Sequence, residues 1–246
     1  MENGFDTKRL INFLRREMTL SGNSFKVSAG SVFGVLLVIS LYTGYYRPQS
    51  TTTLPKIYLF TLFLCGLVFT SKIFAELNNR QKAYAYLTLP VSTAEKLVGS
   101  WLLSSPAFTI LFFIISLILY LIACLTGSSM NVYTQIFDLY VWKSIATFLV
   151  AQSIFFLGAI YFRKNNFMKT LFALFLLLFF IMMIPGLYSG FMFRIVWGQK
   201  GESGITTVFD NDLMESLSKV ISFAFWALLG PFMLLISYYK LKERRV

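Results

Sequence analysis

Residues 102–126 read LLSSPAFTILFFIISLILYLIACLT, an unbroken run without a charge. A helix rises about 1.5 Å per residue and the hydrocarbon core of a bilayer is about 30 Å thick, so about 20 apolar residues suffice to cross it. Runs of that order recur along the chain at 27–46, 57–75, 102–126, 144–162, 170–193 and 220–239, with Lys72 near the end of the second. Membrane barrels use alternating segments of about ten residues. These runs are continuous and twice as long, which predicts an all-α integral membrane protein of six transmembrane helices, a single domain over 1–246.

Composition agrees. Hydrophobic residues make up 57% of the 246 positions, charged residues only 13%, and 27 positions are phenylalanine. Soluble domains carry about 25% charged residues, so this chain has too little polar surface to cover a water-soluble globule. The net charge of +11 does not point to nucleic acid, because the basic residues lie between the apolar runs instead of along one face. Histidine is absent, which removes the commonest metal ligand and general base. Cys65 and Cys124 sit inside apolar runs without metal-ligand spacing and read as small hydrophobes. No catalytic residue, metal site or cofactor is expected.

Lysine and arginine set the orientation. Sixteen of the 22 fall on the side of the N-terminus if the runs alternate across the membrane, and six (Arg47, Lys56, Lys143, Arg194, Lys200 and Lys219) fall on the other. That asymmetry predicts a multi-pass protein of the cytoplasmic (plasma or inner) membrane with both termini cytoplasmic. The first run is too long, and its leader of 26 residues too extended, for a cleavable signal peptide.

Residues 1–26 are read as a cytoplasmic interfacial segment. Leu10, Phe13, Leu14 and Met18 share one helical face, and Lys8, Asn12, Arg15, Arg16 and Thr19 another. Asp6 can cap the start and Gly22 can end it. A basic amphipathic helix of this kind lies in the membrane interface.

Between the second and third runs stands YAYLTLPVSTAEKLVGSWLLS, residues 84–104. Pro90 cannot occupy a helix interior and keeps Leu89 out of helical geometry. Ser92 with Glu95 three residues on forms a capping box. A short helix therefore starts at Thr93 and runs through Leu97 and Trp101, either as a separate cytoplasmic element or as the beginning of the third span.

The order of a second span, a basic stretch, Leu89, Pro90, Val91, Ser92, then Glu95 and Lys96, and a further span resembles the type-2 family of ATP-binding-cassette (ABC) exporter permeases. The N-terminal interfacial helix, six spans, cytoplasmic ends and a long outer loop before the last span extend the likeness over the whole chain in outline; its specific part is residues 89–96. The resemblance implies a short coupling helix that docks on a separate ABC ATPase subunit. Arg80, Lys82, Glu95 and Lys96 would then offer polar contacts, and Leu89, Val91 and Leu97 would fill an apolar socket. It also implies a homodimer or a paired permease forming the translocation pathway. This chain contains no GxxxxGK[ST] phosphate-binding loop, so ATP hydrolysis would belong to the partner and this chain would be a non-catalytic exporter subunit.

Inside the spans no charge falls near the bilayer centre, which argues against coupling to a proton or sodium gradient. Lys72 and Glu76, four residues apart, either snorkel or pair. Gln152 and Ser153 lie near the middle of the fourth span, where they either face a pathway or hydrogen-bond between helices. Gly30 with Gly34 and Gly186 with Gly190 form GxxxG patterns that allow close helix packing, within one chain or between two. Pro185 and Pro231 are expected to bend or interrupt the last two spans. In the outer loop 194–219, residues 210–220 can form a short helix capped by Asp210 or Asn211, and its acids read as a solvated face. The competing functional readings are an ATP-independent channel, a secondary carrier or a membrane assembly scaffold; a membrane-embedded enzyme finds no catalytic set here.

Overall fold

The structure is a computed structural model, and it describes residues 5–78, 80–127, 138–162, 164–197 and 223–243, with backbone alone at 20–25, 78, 80, 184–197 and 224. Among them there is no strand. The elements are α1 (Thr7–Tyr46), a 3-10 turn (Pro48–Thr53), α2 (Leu54–Lys72), a second 3-10 turn (Ala75–Asn78), α3 (Arg80–Leu87), α4 (Thr93–Leu102), a π-helical segment (Leu103–Ala107), α5 (Phe108–Gly127), α6 (Leu139–Tyr161), α7 (Asn166–Trp197), a second π segment (Ala224–Leu229) and α8 (Gly230–Glu243). Five stretches are long and apolar enough to cross a bilayer: Lys26–Tyr46, Pro48–Lys72, Thr93–Gly127, Leu139–Tyr161 and Asn166–Met183. The chain is thus a multi-pass membrane protein. The expected sixth span, 220–239, begins outside the described residues, and so do most of the 194–219 loop and the helix expected at 210–220.

Local signals account for most boundaries. The Asp6 side chain accepts from the amide of Lys8 at 2.9 Å and caps α1. Pro48 and Pro55 stand at the starts of the elements that follow α1, where a missing N–H costs nothing. Asn165, with φ 53°, makes the left-handed turn between α6 and α7. Gly22, expected to end a separate interfacial helix, does not: α1 runs through it as one helix of 40 residues. A lone glycine inside a helix costs only about 1 kcal/mol, and no proline follows to forbid the next turn.

Helix α6 is central, packing on α2, α7 and α8. Helices α1 and α5 form a parallel pair, with Gly44 against Ala123 near their far ends, and apolar residues of both also meet α2. Single glycines make the close approaches. A Cβ at Gly44 would lie 2.5 Å from the carbonyl oxygen of Ala123, and one at Gly99 would lie 2.8 Å from the Phe13 ring. Gly66 and Gly158 receive Phe148 and Thr170 in the same way. Gly30 and Gly34, by contrast, meet nothing within 4 Å, so that GxxxG pattern forms no packing seam among the described residues; Gly186 and Gly190 lie where only backbone is described. Pro185 leaves the backbone of α7 helical, whereas Pro231 is the second residue of α8, one position beyond the Gly230 that follows the second π segment. Exposed leucine, phenylalanine, isoleucine and methionine cover the described part of α7, as a lipid-facing helix requires.

Candidate functional site

The corner between α3 and α4 is built from the features read in the sequence. Helix α3 stops at Leu87, Pro90 stands exposed, and α4 starts at Thr93. Ser92 has an extended backbone, its hydroxyl accepts from the amide of Glu95 at 3.2 Å, and its own amide donates to Glu95 Oε2 at 2.8 Å. The expected capping box is therefore present.

Glu95 does more than close its own helix. Its other oxygen, Oε1, accepts from the backbone amide of Asp6 at 2.7 Å, and Arg9 Nη2 lies 3.8 Å away. One carboxylate thus satisfies the starts of two helices far apart in sequence, α1 and α4. Amide donors and a guanidinium favour its ionised form. It is fully buried, at 0% exposure.

Here the structure corrects the sequence reading. Glu95, Lys96 and Leu97 were expected on a partner-facing surface, and all three point inward. Lys96 donates to the carbonyl of Leu87 at 3.1 Å and lies over the Tyr86 ring, 5.6 Å from its centroid. Leu97 belongs to a buried cluster with Phe13, Phe74, Tyr86 and Phe156, and Leu89 and Val91 pack against that cluster. The reason is the N-terminal part of α1. Packed over Gly99, it covers the face of α4 that an isolated α4 would show to solvent. Lys82, Tyr84, Thr88 and Pro90 remain exposed at the corner; Arg80 opens α3.

Beside the corner lies a small charge cluster. Arg16 bridges Glu17 at 2.8 Å and Glu76 at 3.3 Å. Glu76 therefore pairs with Arg16 in α1 and not with Lys72, its neighbour four residues back. Glu17 is buried, and that burial, with the nearby Glu76 carboxylate, pushes its carboxyl up to about 7 against the lowering effect of Arg16. Lys72 ends α2 and stands exposed.

Deeper in the bundle, Gln152 of α6 joins three helical elements. Its Oε1 accepts from Ser105 at 2.6 Å, and its Nε2 donates to Thr70 Oγ1 at 2.7 Å and to the carbonyl of Ser104. The π segment 103–107 contains Pro106, which cannot donate to the helical ladder, and Gln152 caps a carbonyl of that segment. Ser153 donates back to Val150. Both residues are buried; the interhelical bond is realised by Gln152, whereas the bond of Ser153 stays within α6.

No local pattern announces the Asp6–Glu95 bond, since its partners are 89 residues apart. Pro106, standing after Ser104 and Ser105 within an otherwise apolar run, was a legible sign of a break in the third span. Among the described residues no group of three potential metal ligands comes together. Comparison of the chain with models of known protein families, with curated proteins and with solved structures returned no match.

Proposed function

We propose that this chain is the membrane-spanning subunit of an ATP-driven exporter, coupled to a separate ATPase through the α3–α4 corner. One observation carries the reading. Helix α4 runs through the π segment into α5 without a loop, and Glu95 ties its start to the start of α1. A partner that grips the corner from outside would therefore move two apolar helices as one. The contact is made by the exposed residues Lys82, Tyr84, Thr88 and Pro90, while Glu95, Lys96 and Leu97 transmit the displacement from within.

The full arrangement has six spans, both termini cytoplasmic, and two permease chains around the pathway. The excess of basic residues on the N-terminal side supports that orientation. The outward Gly30 and Gly34 leave a smooth face for a second chain.

The test is co-purification of the native complex with and without Lys82→Glu and Thr88→Trp. Both positions are exposed, so folding should be preserved. The native chain should bring down a nucleotide-hydrolysing protein in stoichiometric amount, and both variants should lose it. Isolation of the native chain without such a partner, accompanied by solute flux in ATP-free vesicles, favours the channel or carrier reading.

A further inference from the structure

Helix α1 meets α4 where Phe13 packs on Gly99, and meets α5 where Gly44 packs on Ala123. A cavity of about 370 Å³ opens between α1, α2 and α5. Its size falls within the range of about 300–1,000 Å³ usual for ligand sites.

The cavity is polar at one end and apolar at the other. Val32, Leu36, Leu111 and Ile115 line its deep part, and Glu17 and Lys72 stand where α2 ends. Lys72 makes no hydrogen bond or ion pair among the described residues, because the nearby acids Glu17 and Glu76 are both taken by Arg16. An empty apolar cavity forfeits dispersion contacts, and water gains few hydrogen bonds there. In a bilayer, the filler at hand is an acyl chain. From Leu103 to Ile115 the wall is about 18 Å long, room for a chain to lie extended along the helices.

We infer that this cavity holds the single acyl chain of an amphiphile whose acidic head, a phosphate or carboxylate, rests on Lys72. The site is independent of the ATPase reading and would operate in the isolated chain. Charge in the neighbourhood sets its pH dependence. Lys72 and Arg16 balance Glu17 and Glu76, while Tyr86 and Lys96 border Arg16 from α3 and α4. A carboxylate head adds one negative charge and a phosphate monoester between one and two, and protonation of Glu17 offsets one of them. Affinity should therefore rise as pH falls through about 7.

Binding of lauroyl lysophosphatidate, of laurate and of neutral lauroyl lysophosphatidylcholine to the purified full-length chain, measured by native mass spectrometry, tests the site. One acidic amphiphile per chain should bind saturably. Lys72→Gln should weaken it about tenfold, Lys72→Arg should restore it, and Val32→Phe should abolish it by filling the cavity. Glu17→Gln should reduce the dependence on pH to that set by ionisation of the amphiphile's own head. The phosphate and carboxylate arms identify which head is preferred. Equal binding of the neutral lipid, or undiminished binding by a folded Val32→Phe chain, would overturn the proposal. So would native-like binding by Lys72→Gln.

Discussion

The bundle has two buried clusters, at opposite ends of the α1–α5 pair, and they are held together differently. The basal cluster gathers Phe13, Phe74, Tyr86, Leu97, Phe156 and Leu241 around the start of α4. It is bordered by buried or half-buried charge: Glu17, Glu95, Lys96 and Arg16. The distal cluster gathers Leu36, Leu54, Tyr58, Leu119, Tyr120 and Ala123. Ser40 and Tyr58 share a 2.7 Å hydrogen bond across helices there, and Gly44 packs closely against Ala123. At the distal end, shape does most of the joining of helices, as expected where lipid tails are as apolar as side chains. At the basal end, directional bonds fix which residue meets which. A protein that receives force at one end benefits from that division, because hydrogen-bonded caps transmit a displacement that sliding apolar faces would absorb.

The largest test of this contrast is Glu95→Ala. It strips acceptors from the amides of Asp6 and Ser92 and leaves Arg9 without its buried partner, at a cost of about 2–4 kcal/mol. The thermal midpoint in detergent should drop, and limited proteolysis should begin to cut within the first turns of α1. If α1 stays protected, the basal clamp is apolar after all. Next is Gly44→Val at the distal end. Its branched side chain meets backbone at Ala123, which cannot rotate away, so overpacking should cost about 1–3 kcal/mol without exposing the α1 N-terminus to protease.

Gln152→Leu stands between the two ends. It removes both donors and the acceptor that serve Ser104, Thr70 and Ser105, and should cost about 1–2 kcal/mol. Ser40→Ala should cost only about 0.6 kcal/mol, the average for hydrogen bonds between membrane helices; a loss as large as that of Glu95→Ala would erase the distinction between the clusters. Smallest of all, Gly30→Ala with Gly34→Ala should change the stability of the single chain by less than about 0.5 kcal/mol. Chemical cross-linking of that double variant would show whether the open face serves a second copy.

Legibility in the sequence differed by residue. The cap at Asp6, the break at Pro90 and the capping box of Ser92 and Glu95 were readable, because each is settled within four residues. The continuation of α1 through Gly22 was not, since a glycine permits a helix end without requiring one. Inward burial of Glu95, Lys96 and Leu97 was also hidden. The face of α4 they occupy looks amphipathic in isolation, and only the arrival of α1 covers it. The GxxxG pattern at Gly30 offered a seam that the fold leaves open, while isolated glycines at 44, 66, 99 and 158 do the packing, with no motif to mark them.

By itself, the sequence determined that the chain is helical and membrane-spanning, because the cost of unpaired backbone groups in lipid depends on the composition of each run and on nothing distant. Tertiary structure alone decided which polar side chains are shared between helices, where a cavity stays open between α1, α2 and α5, and which glycines touch a neighbour. Those outcomes depend on distances between segments far apart in the chain, and no local pattern encodes a distance.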